Sequence, residues 1–82
     1  MDWKLLSFVL SSEQRELVLK TLDKPTTPTR IAKEAKITKA HVSRILKEFE
    51  KRGLAECKTP GKRKGKIYVI TEKGSAILTK IK

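Results

Sequence analysis

Apolar residues recur three and four places apart through the first two thirds of the chain, then give way to shorter runs. "DWKLLSFVLSS" comes first. Trp3, Leu6 and Leu10 fall at helical spacing, with Leu5, Phe8 and Val9 filling in. A run this short does not separate helix from strand. It reads as a short helix or turn, packed on the domain or on a second subunit. Ser11 and Ser12 are both suitable helix caps, and Ser11 with Gln14 spells a capping box. The helix that follows reaches about Asp23, with Leu17, Val18 and Leu22 as its expected buried stripe. "KPTTPT" interrupts it, because Pro25 and Pro28 forbid a continuous helix.

Thr27 followed by Pro28 starts a new helix, "PTRIAKEA", about two turns long. After "KIT", Thr38 caps a longer helix that ends at Gly53. In that longer helix Val42, Ile45, Leu46 and Phe49 share one face. The opposite face carries Ala40, Arg44, Lys47 and Lys51, with Ser43 and Glu48 on its edges. Beyond Gly53 the period changes. "LAECKT" and "KIYVIT" are strand-like and "PGKRKG" between them is a turn, which makes a hairpin. Thr71 caps a last helix whose Ile77, Leu78 and Ile81 face one way.

A short helix, a three-residue turn and a longer helix form a helix-turn-helix, in which the second helix enters the DNA major groove. The fold expected is α+β: a winged helix-turn-helix with a three-helix core, a β-hairpin wing, a C-terminal helix and a short N-terminal helical segment. One domain spans 1–82. Within it lie the helical core at 12–53, the helix-turn-helix at 28–52, the wing at 54–71 and the last helix at 72–82.

Charge strengthens this reading. The chain has 82 residues and a formal net charge of +11. Residues 1–23 are close to neutral, with three basic and four acidic side chains. Residues 24–82 carry seventeen basic and five acidic ones. A basic field confined to part of a domain favours an acidic partner, with nucleic acid ahead of an anionic membrane. Lys58, Lys62, Arg63, Lys64 and Lys66 crowd the hairpin with no acid among them. A solvated turn or a nuclear localisation run would look similar in isolation. Directly after a helix-turn-helix, a wing on the DNA backbone or minor groove explains it better. On the helix at 38–53, Arg44 suits guanine O6 and N7, and the Ala40 methyl suits a thymine methyl.

The stretch "TPTRIAKEAKITKAHVSRILKEFEKRGLAE", followed by "GKIYVITEKGSAIL", resembles the winged helix-turn-helix of the MarR and ArsR type. It is most similar to small archaeal regulators of that superfamily, over about residues 12–80. "HVSRILKEFEKRGL" and "YVITEKG" are the most specific pieces. The resemblance implies double-stranded DNA as partner and a homodimer on a pseudo-palindromic site. It matches Lys39, Ala40, His41, Ser43 and Arg44 to base-facing positions, and Val42 and Leu46 to core positions. Backbone contacts are expected from Thr29, Arg30, Lys47, Lys51, Lys58, Lys62, Arg63, Lys64 and Lys66. Lys36 departs from the family, which often has glycine in the turn.

Other chemistry finds little support. His41 is the single histidine and Cys57 the single cysteine, so no metal-ligand set and no internal disulfide can be assembled. Cys57 reads as a small buried hydrophobe, with a redox role as the alternative. Tyr68 reads as core, and Trp3 and Phe8 as packing or dimer contacts. No nucleophile–base pair stands out, so no enzyme, cofactor or small-molecule ligand is expected. "LLSFVL" is too short to span a bilayer, which needs roughly 20 apolar residues. The expectation is a cytoplasmic, nucleoid-associated regulator that reads sequence. The alternatives are a sequence-tolerant nucleic-acid or chromatin protein and a winged-helix protein-interaction module.

Overall fold

Helix caps set the register of the computed structural model, which describes residues 2–81. Asp2 opens α1 (Trp3–Leu10), its carboxylate accepting from the Lys4 and Leu5 amides at 3.0 and 3.2 Å. The N-terminal segment is therefore a true helix. Its buried side is Leu5 and Val9, while Trp3 and Leu10 turn outward, 70% and 49% exposed.

The capping box expected at Ser11 and Gln14 does not form. Ser11 closes α1 instead, donating its hydroxyl to the Phe8 carbonyl at 2.8 Å. Ser12, in extended backbone, caps α2 (Glu13–Thr21) by accepting from the Arg15 amide. The buried face of α2 also differs from expectation: Val18, Leu19 and Leu22 are inside, and Leu17 is 37% exposed. Residues 15, 18, 19 and 22 lie at i, i+3, i+4 and i+7, so Arg15 shares the inward stripe.

Thr27 caps α3 (Pro28–Ala35) through the Arg30 amide, with Pro28 at the first position. Lys36 ends the helix in left-handed backbone at φ 57°, ψ 45°, and its amide bonds to the Ala32 carbonyl. Thr38 then caps α4 (Lys39–Lys51). Val42, Ile45, Leu46 and Phe49 are all buried, as their spacing requires. Gly53, at φ 75°, ends the turn after α4.

The hairpin pairs β1 (Ala55–Cys57) with β2 (Tyr68–Ile70) antiparallel, Glu56 opposite Val69. Both strands are shorter than the apolar runs suggest. Leu54 leaves the ladder to enter the core, and beyond Cys57 a single Lys58–Ile67 backbone bond of 2.8 Å continues it. Thr26 adds a third strand position by exchanging backbone bonds of 3.1 and 2.8 Å with Tyr68. This ties the linker before α3 to the wing.

Thr71 joins the hairpin to α5 (Glu72–Ile81). Its hydroxyl donates to the Gly53 carbonyl at 2.6 Å and accepts from the Gly74 amide at 3.0 Å. Gly74 is buried against the Leu54 carbonyl, and an added Cβ would collide with that oxygen. Ile77 and Leu78 complete the core. Tyr68 is buried as expected, and Cys57 is half-buried rather than enclosed. Among the described residues no helix is long and apolar enough to cross a membrane.

A left-handed, non-glycine residue costs roughly 1 kcal/mol. Lys36→Gly relieves that strain while adding unfolded-state entropy, so the variant is expected to be neutral or more stable, by up to a few degrees in Tm. A clear drop in thermal midpoint would contradict the account of this turn.

Candidate nucleic-acid interface

With its apolar stripe buried, α4 shows solvent a fixed set of side chains. Lys39, Ala40, Arg44, Lys47 and Lys51 are exposed, and His41 and Ser43 are half-buried. A cleft of about 260 Å³ runs beside this face. Three elements build it: the start of α3 with Thr27, Pro28 and Thr29; α4 with Lys39, Ser43 and Lys47; and the hairpin tip with Arg63, Lys64, Gly65 and Lys66. Tyr68 lies at its base. Five cationic side chains line this cleft and no acidic one does. Desolvating such a set without an anion is unfavourable, so it stays hydrated or takes up negative charge.

The residues expected to read bases divide between two flanks. Lys39 and Ser43 border the wing cleft. His41 and Arg44 border a second hollow, of about 250 Å³, against α2, together with Ser12, Gln14, Arg15 and Glu48. Ala40 borders neither, and is exposed. The expected backbone contacts divide as well. Thr29, Lys47, Arg63, Lys64 and Lys66 meet at the cleft, while Arg30, Lys51, Lys58 and Lys62 lie outside its lining. Arg30 pairs with Glu34 one turn on, at 3.1 Å, and Lys58 with Glu56 at 3.6 Å. Exposed pairs of this kind contribute about 0–1 kcal/mol and exchange readily for a phosphate.

The hairpin tip has few internal restraints. The Ile67 amide donates to the Thr59 hydroxyl at 3.0 Å and the Lys62 amide to the Thr59 carbonyl at 3.1 Å. Gly65 turns through φ 68°.

Several residues at the site have no signal in the sequence pattern. Thr27 and Pro28 show there only as helix-start residues, and Tyr68 only as core. Arg15 and Glu48 are 33 positions apart, yet their side chains meet: Nε–Oε1 at 3.3 Å and Nη2–Oε2 at 3.4 Å. Among the described residues no group of three His, Cys, Asp or Glu side chains is placed to hold a metal ion.

Burial pushes the Tyr68 phenol up to about 12, with the Glu50 carboxylate and Cys57 adding to the rise. An unfolded tyrosine ionises near 10, so between about 10 and 12 the unfolded chain holds fewer protons than the folded one. This contribution to stability is full below pH 10 and is lost as pH rises towards 12. Tyr68 is the only tyrosine. Its tyrosinate absorbance should therefore appear near pH 12 or with unfolding; a reversible titration near 10 in the folded protein would contradict its burial.

Comparison with known proteins agrees with this architecture. The family model described as the HVO_A0261 N-terminal domain matches residues 3–82. No curated protein sequence matches significantly. Among solved structures, YodB from B. subtilis, treated with diamide, is 28% identical, with 93% of this chain and 77% of that one covered and a TM-score of 0.74. The transcriptional repressor CouR, bound to a 23-mer DNA duplex, is 27% identical, with 92% and 58% covered and a TM-score of 0.74. A MarR family transcriptional regulator from Silicibacter pomeroyi is 23% identical, with 95% and 55% covered and the same TM-score. The chain thus spans a little over half the length of the CouR and Silicibacter chains. The fold is the MarR-like winged helix.

Proposed function

The chain belongs to the HVO_A0261 N-terminal domain family, and from that premise we propose that it is a DNA-binding transcriptional regulator, not an enzyme. The observation that carries this reading is the convergence of α3, α4 and the hairpin tip on one acid-free cationic cleft. A helix face with a basic loop at its side matches the shape of duplex DNA, a groove bordered by phosphates. The relative CouR was solved on such a duplex.

In this reading α4 enters the major groove. Ala40 and Arg44 face base edges, with Lys39, His41 and Ser43 beside them. Arg44 alone among these has the planar fork for guanine O6 and N7. Thr29, Lys47, Arg63, Lys64 and Lys66 take phosphates along the cleft. Arg30, Lys51, Lys58 and Lys62 extend that track, Arg30 and Lys58 by exchanging an exposed carboxylate for a phosphate. Because phosphate contacts release counterions, affinity falls steeply with salt.

Arg44→Ala should weaken binding to a selected duplex by about 1–3 kcal/mol and relax preference at one base pair, with little change on random DNA. Lys64→Ala should weaken both duplexes alike and lower the salt slope by about one. Anisotropy titrations at two salt concentrations read both. An equal loss on both duplexes in Arg44→Ala leaves a sequence-tolerant nucleic-acid protein as the better reading. No duplex binding at low salt leaves a protein-interaction module.

The same reading includes a homodimer. The outward side of α1 presents Trp3, Leu6 and Leu10 around a hollow of about 360 Å³. Two strongly basic copies approach most easily through the nearly neutral stretch at 1–23. Sedimentation at micromolar concentration is expected to show a dimer that Trp3→Ser with Leu10→Ser converts to a folded monomer. An unchanged mass in that variant would move the interface elsewhere.

A further inference from the structure

Glu48 is the acid on the edge of the exposed face of α4, one turn after Arg44. Residues four apart on a helix are neighbours, so Arg44 and Glu48 are placed to form an intrahelical ion pair. They do not form one: among the described residues Arg44 has no acidic side chain within ion-pair distance. Glu48 is turned to α2, where both its oxygens accept from Arg15.

Arg15 is held for that task from every side. Its Nη1 donates to the Phe8 carbonyl and to the Ser11 hydroxyl, each at 3.1 Å. The guanidinium carbon lies 4.0 Å from the centre of the Phe8 ring. That ring packs edge-on to Phe49 in the core, with centroids 6.4 Å apart. All three guanidinium nitrogens are thus engaged, and the side chain is only 24% exposed. A lysine has no fork with which to make these contacts.

We propose that Arg15 is a positioning residue for DNA recognition: it holds Glu48 away from Arg44 and so keeps the Arg44 guanidinium free for a base edge. The proposal rests on the reading of α4 as the recognition helix. Release of Glu48 has two consequences. Its carboxylate competes for Arg44, and an uncompensated negative charge stands beside the DNA phosphates. Both weaken binding, and the first weakens the selected duplex more than random DNA.

The test uses a fluorescently labelled duplex recovered by selection from random DNA, with a random duplex of equal length for comparison. Arg15→Gln is expected to lose roughly fivefold in affinity for the selected duplex, the scale of one helix ion pair plus one screened charge. Random DNA should lose less, so preference falls at the base pair that Arg44 reads. Arg15→Gln with Glu48→Gln should return to within about twofold of wild type, because the competitor for Arg44 is gone. Arg15→Gln with Glu72→Gln has the same net charge but keeps Glu48, and should stay weak. Glu48→Gln alone, which leaves Arg15 on Phe8, should bind at least as tightly as wild type, and it carries the test if Arg15→Gln fails to fold. Wild-type binding with no rescue in the Arg15–Glu48 double variant, with equal rescue by Glu72→Gln, or with loss in Glu48→Gln overturns the positioning role alone. Failure of the wild type to bind either duplex overturns the functional reading beneath it.

Discussion

Burial of one side of α4 is the constraint on which the rest of this protein depends. Val42, Leu46 and Phe49 are fully enclosed and Ile45 nearly so. Each such side chain contributes about 1.5–3 kcal/mol by leaving water. Rotating the helix by one residue would carry Ser43, Lys47 and Glu50 inward and bring Val42, Ile45 and Phe49 out, at a cost no small domain can absorb. The outward face is therefore set by the inward one. That is how a short chain holds Ala40 and Arg44 at a fixed angle to everything around them.

The wing is held by different means. Three residue pairs, the Thr26 bridge and the Thr71 hydroxyl fix its base, and the Tyr68 ring seals it. Its tip has no apolar face, only cations and glycines around a few bonds to Thr59. On the proposed function, a rigid helix beside a loosely held basic loop would combine fixed base contacts with a phosphate contact that adapts to local DNA shape. At the other end of α4, Arg15 and Arg52 both lie over the Phe8 ring, at 4.0 and 3.8 Å. The N-terminal helix is thus joined to both ends of the second half of α4, through Glu48 and through the turn after Lys51.

Much of this was legible in the order of residues. The stripe of α4 reads correctly because a half-buried helix repeats its apolar residues at the helical period. Thr27–Pro28, Thr38 and Thr71 read correctly because caps are local. The Ser11–Gln14 capping box does not form, because two adjacent serines offer the same chemistry and only the end of α1 assigns Ser11 to the preceding helix, leaving Ser12 as the cap. Leu17 is the wrong partner for Val18 and Leu22: Leu19, three residues before Leu22, shares their side of the helix and is the one buried. Strand lengths were overestimated because β-prone residues such as Leu54 also serve a core. Sequence placed the candidate interface on α4 and the hairpin, but not its division into two flanks. The Arg15–Glu48 pair left no mark, since nothing local links positions 33 apart.

The central claim is that α4 and the hairpin tip together form one DNA surface. Amide chemical-shift mapping with a short duplex tests it most directly. Shifts should concentrate at 27–30, 39–47 and 62–66, and spare the exposed lysines of α5, Lys73 and Lys80. Shifts spread evenly over every lysine-bearing surface, or absent from α4, would contradict the account.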